Sequence, residues 1–169
     1  MFVLKTIILL IIFCTSSLIG IAISKKYSNR VKNLKEIKSA LNIFETKIKY
    51  TYESIPEIFK EISQGTYKSV SEVFLNASNK MKELSAGQAW SEAIDDSNIE
   101  ITKEDKSILK GMSKLLGKTN VEGQISEINL TGKFLDKQIE IAQQEKDKNE
   151  KLYKTLGMTI GLAIVILLI

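Results

Sequence analysis

Histidine, the side chain that most often moves protons near neutral pH, is absent from the 169 residues of this chain. Cysteine occurs once, at Cys14. Together these facts exclude histidine-based nucleophilic triads and zinc sites of the usual Cys/His kind. Cys14 falls within an apolar run and reads as a small membrane-helix residue, and one cysteine makes no intrachain disulfide. The carboxylates offer two adjacent pairs, Glu104/Asp105 and Asp95/Asp96. Neighbours on a helix point to diverging faces, so each pair is expected to cap or to solvate and not to share a proton or a metal. GKTN from Gly117 has the look of a phosphate-loop end, but the upstream glycine and a preceding strand are missing. It reads as a helix stop followed by an N-cap. Trp90 stands at helical spacing among apolar residues and reads as core. No catalytic, cofactor or metal site is expected, and the chain is not read as an enzyme.

The elements that would position these residues follow from where the charge lies. Overall the chain is 44% hydrophobic and 26% charged, with a mean hydropathy of −0.01, close to an ordinary soluble domain. The charge is nevertheless confined. Residues 6–24 carry none, residues 155–169 carry none, and nearly all of it sits between Lys25 and Lys154. That middle stretch, roughly 130 residues, is about the commonest size for one domain and can bury a modest core. The expected organisation is therefore an N-terminal span (1–24), a helical domain (25–154) and a C-terminal span (155–169).

Thr6–Ser24 is 19 uncharged residues, near the roughly 20 that a helix needs to cross a membrane. A cleavable signal peptide is the rival reading, with Ala22-Ile23-Ser24 as a loose cleavage site. Lys5 alone precedes the run and Lys25-Lys26 follow at once, so a stable anchor is preferred. A lipoprotein reading of Cys14 fails because bulky Phe13 precedes it. The second run is shorter: 15 residues from Thr155 rise about 22 Å, against a core of about 30 Å. Leu152 and Tyr153 extend it, with Lys154 reaching for the headgroups. Gly157 and Gly161 form a G-x-x-x-G that admits close helix packing, on Thr6–Ser24 or on another subunit, although such matches are common in membrane helices. Lys25, Lys26, Arg30, Lys32, Lys35 and Lys38 follow the first run, and Lys146, Lys148, Lys151 and Lys154 precede the second. The positive-inside rule then places the domain in the cytoplasm and both ends outside. The net charge of +4 is juxtamembrane and not a nucleic-acid stripe.

Between the spans, apolar residues recur every three or four positions. Val31, Leu34, Ile37, Leu41, Phe44 and Ile48 mark a first helix continuing out of the first span. Ser54, Pro56 and Glu57 open a second through a capping box, with Ile55, Ile58, Phe59 and Ile62 on one face and Gly65 as its stop. A third is predicted from Tyr67 to Ser85, carrying Val70, Val73, Phe74, Ala77, Met81 and Leu84, with Gly87 breaking it. Ala89, Trp90, Ala93 and Ile94 mark a fourth. A fifth opens at Thr102, with Asp105 three residues on, and buries Ile108, Leu109, Met112, Leu115 and Leu116 before Gly117. The last starts near Asn120, shows Ile125, Ile128, Leu135, Ile139 and Ala142, and continues into the second run. The fold class is all-α: a bundle of about six helices flanked by two transmembrane helices.

Four stretches also resemble a known family. LNIFETKIKYTYESIPEIFKEIS (Leu41–Ser63), AGQAWSEAI (Ala86–Ile94), LLGKTNVEGQISEINLT (Leu115–Thr131) and KLYKTLGMTIGLAIVILLI (Lys151–Ile169) are similar, in order and spacing, to segments of the stage III sporulation protein AB family. Departures are Lys47 where the family has a second acid after Glu45, Glu57 after Pro56 where it has leucine, and Asn120 for its aspartate. The matching positions Glu45, Tyr50, Pro56, Trp90, Gly117 and Gln124 are expected to hold the bundle.

That resemblance implies a platform component of the secretion-like channel complex between mother cell and forespore in endospore-forming bacteria. It implies a place in the mother-cell membrane facing the forespore. The central domain would resemble the helical domains of the type II secretion F-type inner-membrane platform protein. The implied partners are the soluble secretion-type ATPase, stage III sporulation protein AA, and the other membrane components of the complex. Glu53, Glu57 and Glu61 form one acidic patch that could meet the ATPase, and no cofactor is implied. The alternative reading is a signal-anchored extracytoplasmic helical receptor or adhesion module; a small pore-forming protein of the holin kind has little need of so large a domain.

Overall fold

Apolar residues at three- and four-residue steps bury only as helices, and that is how the chain folds. The computed structural model describes residues 2–51 and 53–168. Met1 and Ile169, the outer limits of the two expected spans, lie outside those residues, as does Tyr52. Among the described residues there is no strand. The helices are α1 (Phe2–Tyr50), α2 (Ile55–Gly65), α3 (Lys68–Lys80), α4 (Ala86–Asp95), α5 (Lys103–Gly111) and α6 (Val121–Leu168), with a 3-10 turn at Met112–Lys114. The protein is all-α, with long apolar helices at both ends.

The chain forms two units. One, Lys32–Glu140, is the helical bundle; the other pairs Met1–Val31 with Ile141–Ile169. In the bundle α2 packs on α3, α3 on α4, and α4 on α5 and the 3-10 turn. Four rings at its centre join four helices. Phe59 (α2) lies 5.0 Å from Phe44 (α1), 5.0 Å from Phe74 (α3) and 5.5 Å from Trp90 (α4), in edge-on arrangements that suit the ring quadrupoles. All four are at most 1% exposed. The indole Nε1 of Trp90 donates to the Leu109 carbonyl at 2.8 Å, so the one polar atom of that ring is satisfied.

Two helix limits differ from the periodicity reading, each for a local reason. The third helix ends at Lys80 and not at Ser85. Ser85 and Gln88 instead form a capping box that opens α4, the Ser85 hydroxyl accepting from Gln88 N at 3.4 Å. Gly87 therefore breaks nothing. It sits in the first turn of α4, where an added Cβ would lie 2.1 Å from the Ser113 carbonyl oxygen. Met81 and Leu84, expected in the core, are half-buried. The fifth helix stops at Gly111, its last turn tightens into the 3-10 turn, and Leu115 is left 40% exposed. The reversal is completed by Gly117, whose φ of +72° is a conformation that L side chains rarely adopt.

Adjacent carboxylates take separate structural roles. Asp105 is buried and accepts from Thr102 N at 2.8 Å, while Thr102 Oγ1 accepts from Asp105 N at 3.1 Å. Glu104 accepts from Gln138 at 3.0 Å. Asp95 pairs with Lys110 at 2.6 Å, and Asp96 with Lys80 at 3.1 Å.

Candidate functional site

The acidic residues of α2 sit where the sequence pattern put them, but each has a partner within the chain. Ser54 has the extended backbone of an N-cap (φ −71°, ψ 152°). Its backbone N and its Oγ both donate to one carboxylate oxygen of Glu57, at 2.9 and 2.7 Å. The hydroxyl bond first, and the amide bond second, hold the Glu57 carboxyl below the ordinary carboxylate range. Glu53 and Glu61 are drawn to one cation, Lys47 of α1, whose Nζ lies 3.6 and 2.5 Å from them. All three carboxylates are exposed. The arrangement is a solvent-facing acidic surface, not a proton-transfer site. Among the described residues no group of three or more His, Cys, Asp or Glu side chains could hold a metal ion.

The six motif positions fall into four settings. Trp90 is in the ring cluster described above. Pro56 is in the first turn of α2, and its carbonyl accepts from Ser78 Oγ at 2.8 Å, tying α2 to α3. Gly117 and Gln124 meet: Gln124 Oε1 accepts from Gly117 N at 3.3 Å and its Nε2 donates to Thr119 O at 3.2 Å. One side chain thereby braces the turn that leads into α6, and Asn120 caps that helix by accepting from Gly123 N at 3.0 Å. Glu45 and Tyr50 lie at the surface end of α1. Glu45 accepts from Asn129 of α6 at 2.9 Å, and Tyr50 is 71% exposed beneath the Lys49 ammonium.

The unit built from the chain ends is a helix pair. Two helices, Leu4–Tyr50 and Val121–Leu168, are long and apolar enough to cross a membrane by length and composition. Only 6% and 11% of their most apolar windows is buried, unlike the core helix of a soluble fold. Gly157 and Gly161 are buried, and they face α1 of the same chain. A Cβ on Gly157 would lie 2.9 Å from the Cα of Gly20 and 2.9 Å from the carbonyl oxygen of Ser16; one on Gly161 would lie 3.1 Å from Ser16 Cβ. Ser16 Oγ donates to the Gly157 carbonyl at 2.8 Å. Nearer the charged end, Tyr27 stacks on Tyr153 with centroids 5.8 Å apart, and buried Arg30 pairs with Glu145 at 2.7 Å.

Ser16, Gly20 and the Arg30–Glu145 pair were not legible as partners, because nothing local marks which residues two distant helices bring together. The Ser85-x-x-Gln88 capping box is a short-range pattern in the sequence, and it outweighs the breaking tendency of Gly87.

Comparison with known proteins decides the assignment. The family model for stage III sporulation protein AB matches residues 5–169. The chain belongs to that family. The stage III sporulation protein AB of Bacillus subtilis (strain 168) is 25% identical over 153 residues, 88% of this chain and 90% of that protein. A solved structure of a stage III sporulation protein AB superposes with a TM-score of 0.66 at 22% identity, covering 71% of this chain and 98% of the other, which shows a common fold.

In this member of the stage III sporulation protein AB family, the four resembling stretches map onto junctions. Leu41–Ser63 covers the end of α1 and the start of α2, with their shared Lys47 pairs; Ala86–Ile94 is α4 with Trp90. Leu115–Thr131 spans the Gly117–Gln124 brace, and the described part of Lys151–Ile169, to Leu168, is the close-packed end of α6. Each stretch includes a residue that meets another element, where a substitution disturbs two elements at once.

Proposed function

We propose that this protein is a membrane-anchored platform component of the sporulation channel complex that connects mother cell and forespore. The family assignment carries the reading, together with α1 and α6, each of which is a single helix contributing to both units. Thr6–Ser24 and Thr155–Ile169 cross the mother-cell membrane facing the forespore. The bundle lies in the cytoplasm, on the side of the lysine-rich flanks. It docks the secretion-type ATPase, stage III sporulation protein AA, and passes on displacement through α1 and α6, each one helix in sequence. The protein acts by contact and not by catalysis.

Glu53 and Glu61 are the acidic residues available to a basic partner, because exchange of one Lys47 contact for another cation costs little at an exposed site. Glu57 is committed to its cap. The direct test is capture of the ATPase by the full chain in detergent, comparing wild type with E53K/E61K. Binding by wild type and loss in the variant support the docking surface; no binding by wild type overturns ATPase docking. A topology reporter fused after Ser85 tests the membrane reading separately: activity only on the outer side of the membrane refutes it.

A further inference from the structure

The cations beside the two apolar runs divide into two kinds. Some are neutralised within the chain: Arg30 of α1 across the pair by Glu145 of α6 at 2.7 Å, and Lys154 and Lys146 along α6 by Glu150 at 2.7 and 3.9 Å. Lys154 holds the Glu150 carboxyl below its usual range by a side-chain hydrogen bond. Lys25, Lys26, Lys148 and Lys151 are exposed and, among the described residues, make no ion pair. These four belong to the same helix-pair unit and flank one level of it. The stacked rings of Tyr27 and Tyr153 mark that level, since their centroids are 5.8 Å apart. Along the helices, at 1.5 Å per residue, Lys25 and Lys26 lie within about 3 Å of the rings on the apolar side, and Lys151 and Lys148 about 3 and 7.5 Å away on the charged side, a band about 10 Å deep that long lysine side chains can bring to one polar layer. The polar layer on each side of a bilayer is about 5–7 Å deep, and tyrosine pairs are at home at its edge.

We infer that Lys25, Lys26, Lys148 and Lys151 form a belt that binds the phosphate headgroups of anionic phospholipids in the leaflet on the bundle's side. Positive charge is exposed at the level of the headgroups, and among the described residues no carboxylate pairs with it. The paired cations are already neutralised, Arg30 across the helix pair and Lys146 and Lys154 along α6, and add little to lipid binding. An outward ring of unpaired ammonium groups around a short second span also draws the polar layer toward the helix ends, which suits a run shorter than the hydrocarbon core. The inference rests on the two runs being membrane spans, but not on which side of the membrane the bundle lies.

The test uses the full chain in detergent mixed with equal phosphatidylglycerol and phosphatidylcholine, with retained lipids counted by native mass spectrometry. Wild type is expected to retain phosphatidylglycerol at least about fivefold over phosphatidylcholine. K25Q/K26Q/K148Q/K151Q should bring the ratio close to one with helicity unchanged by circular dichroism, whereas K146Q/K154Q should keep the preference. Millimolar inorganic phosphate should not displace the lipid; displacement would assign the belt to free phosphate and overturn the headgroup reading. If the fourfold variant does not fold, salt decides on wild type, because exposed charges are screened over about 8 Å at physiological ionic strength. A preference that persists undiminished at high salt overturns the belt, as does a wild type with no preference. Carbonate extraction of the chain from membranes would instead refute the spans themselves, so the two failures are distinct.

Discussion

Gly20 and Gly157 meet backbone to backbone, so that a methyl group on Gly157 would stand 2.9 Å from the Gly20 Cα and one on Gly20 would stand 2.6 Å from the Tyr153 carbonyl oxygen. Neither neighbour is a flexible side-chain end, so neither can yield cheaply. The closeness also brings Ser16 Oγ onto the Gly157 carbonyl at 2.8 Å, a part-buried bond between the two helices.

Gly157→Leu should therefore separate the helix pair. Overpacking of this kind costs about 1–3 kcal/mol, enough to reduce the paired population on the order of tenfold. Oxidative cross-linking of Tyr27→Cys with Tyr153→Cys, in a Cys14→Ala background, reads the pairing directly. An unchanged yield in the leucine variant would show that the two glycines do not control it.

The ring cluster makes Phe59 the most costly single truncation in the bundle. It is fully buried and touches three aromatic rings, so Phe59→Ala should destabilise by about 3–5 kcal/mol. Urea unfolding of the full chain in mild detergent, followed by the fluorescence of Trp90, measures it. Trp90→Phe keeps most of the ring but orphans the Leu109 carbonyl, for about 1–3 kcal/mol by circular dichroism.

Two glycines should respond to alanine with opposite signs. Gly117 has φ +72° and an Ala86 methyl 3.1 Å from where its Cβ would stand, so Gly117→Ala should cost about 1–2 kcal/mol. Gly132 lies inside α6 with nothing within 4 Å of an added Cβ. Gly132→Ala should stabilise by about 0.5–1 kcal/mol through helix propensity and a less flexible unfolded chain. Matched urea midpoints decide both, and a destabilised Gly132→Ala would mean that this face of α6 is covered in the protein.

The cap of α2 should be sensitive to acid. The folded pKa of Glu57 is lowered by its bonds to Ser54, so its contribution is present above the ordinary carboxylate pKa and is lost as pH falls through the lowered value. Protection factors at Ser54 and in the first turn of α2, from amide exchange followed by NMR and corrected for its intrinsic pH dependence, should fall on acidification. Glu57→Gln, which keeps an acceptor but cannot titrate, should remove that fall. A variant with the wild-type pH profile would assign the acid response to another group.

Much of this structure is legible in the sequence wherever the cause is local. The Ser54–Glu57 and Thr102–Asp105 caps are three residues apart and show as short patterns. The Gly117 stop and the Asn120 cap are equally short-range. Buried faces such as Ile58, Phe59 and Ile62 follow from period alone. The failures have a common cause too. Gly87 looked like a breaker because a glycine's propensity is visible and its contact with the Ser113 backbone is not. Leu115 looked buried because apolar character was read beyond the point where the helix tightens and turns.

The sequence by itself determined the helical class, the two charge-free runs, the caps and the absence of histidine chemistry, since composition, period and short-range hydrogen bonding suffice for these. Only the tertiary structure decided that Gly157 packs on Gly20 within one chain, and that Lys47 gathers Glu53 and Glu61. It also separated the lysines that are paired from those that are not. Ser16 and Gly157 are 141 positions apart. Which of the many small residues meet across that distance depends on the register of two long helices, and the helical period repeats too evenly along each of them to specify it.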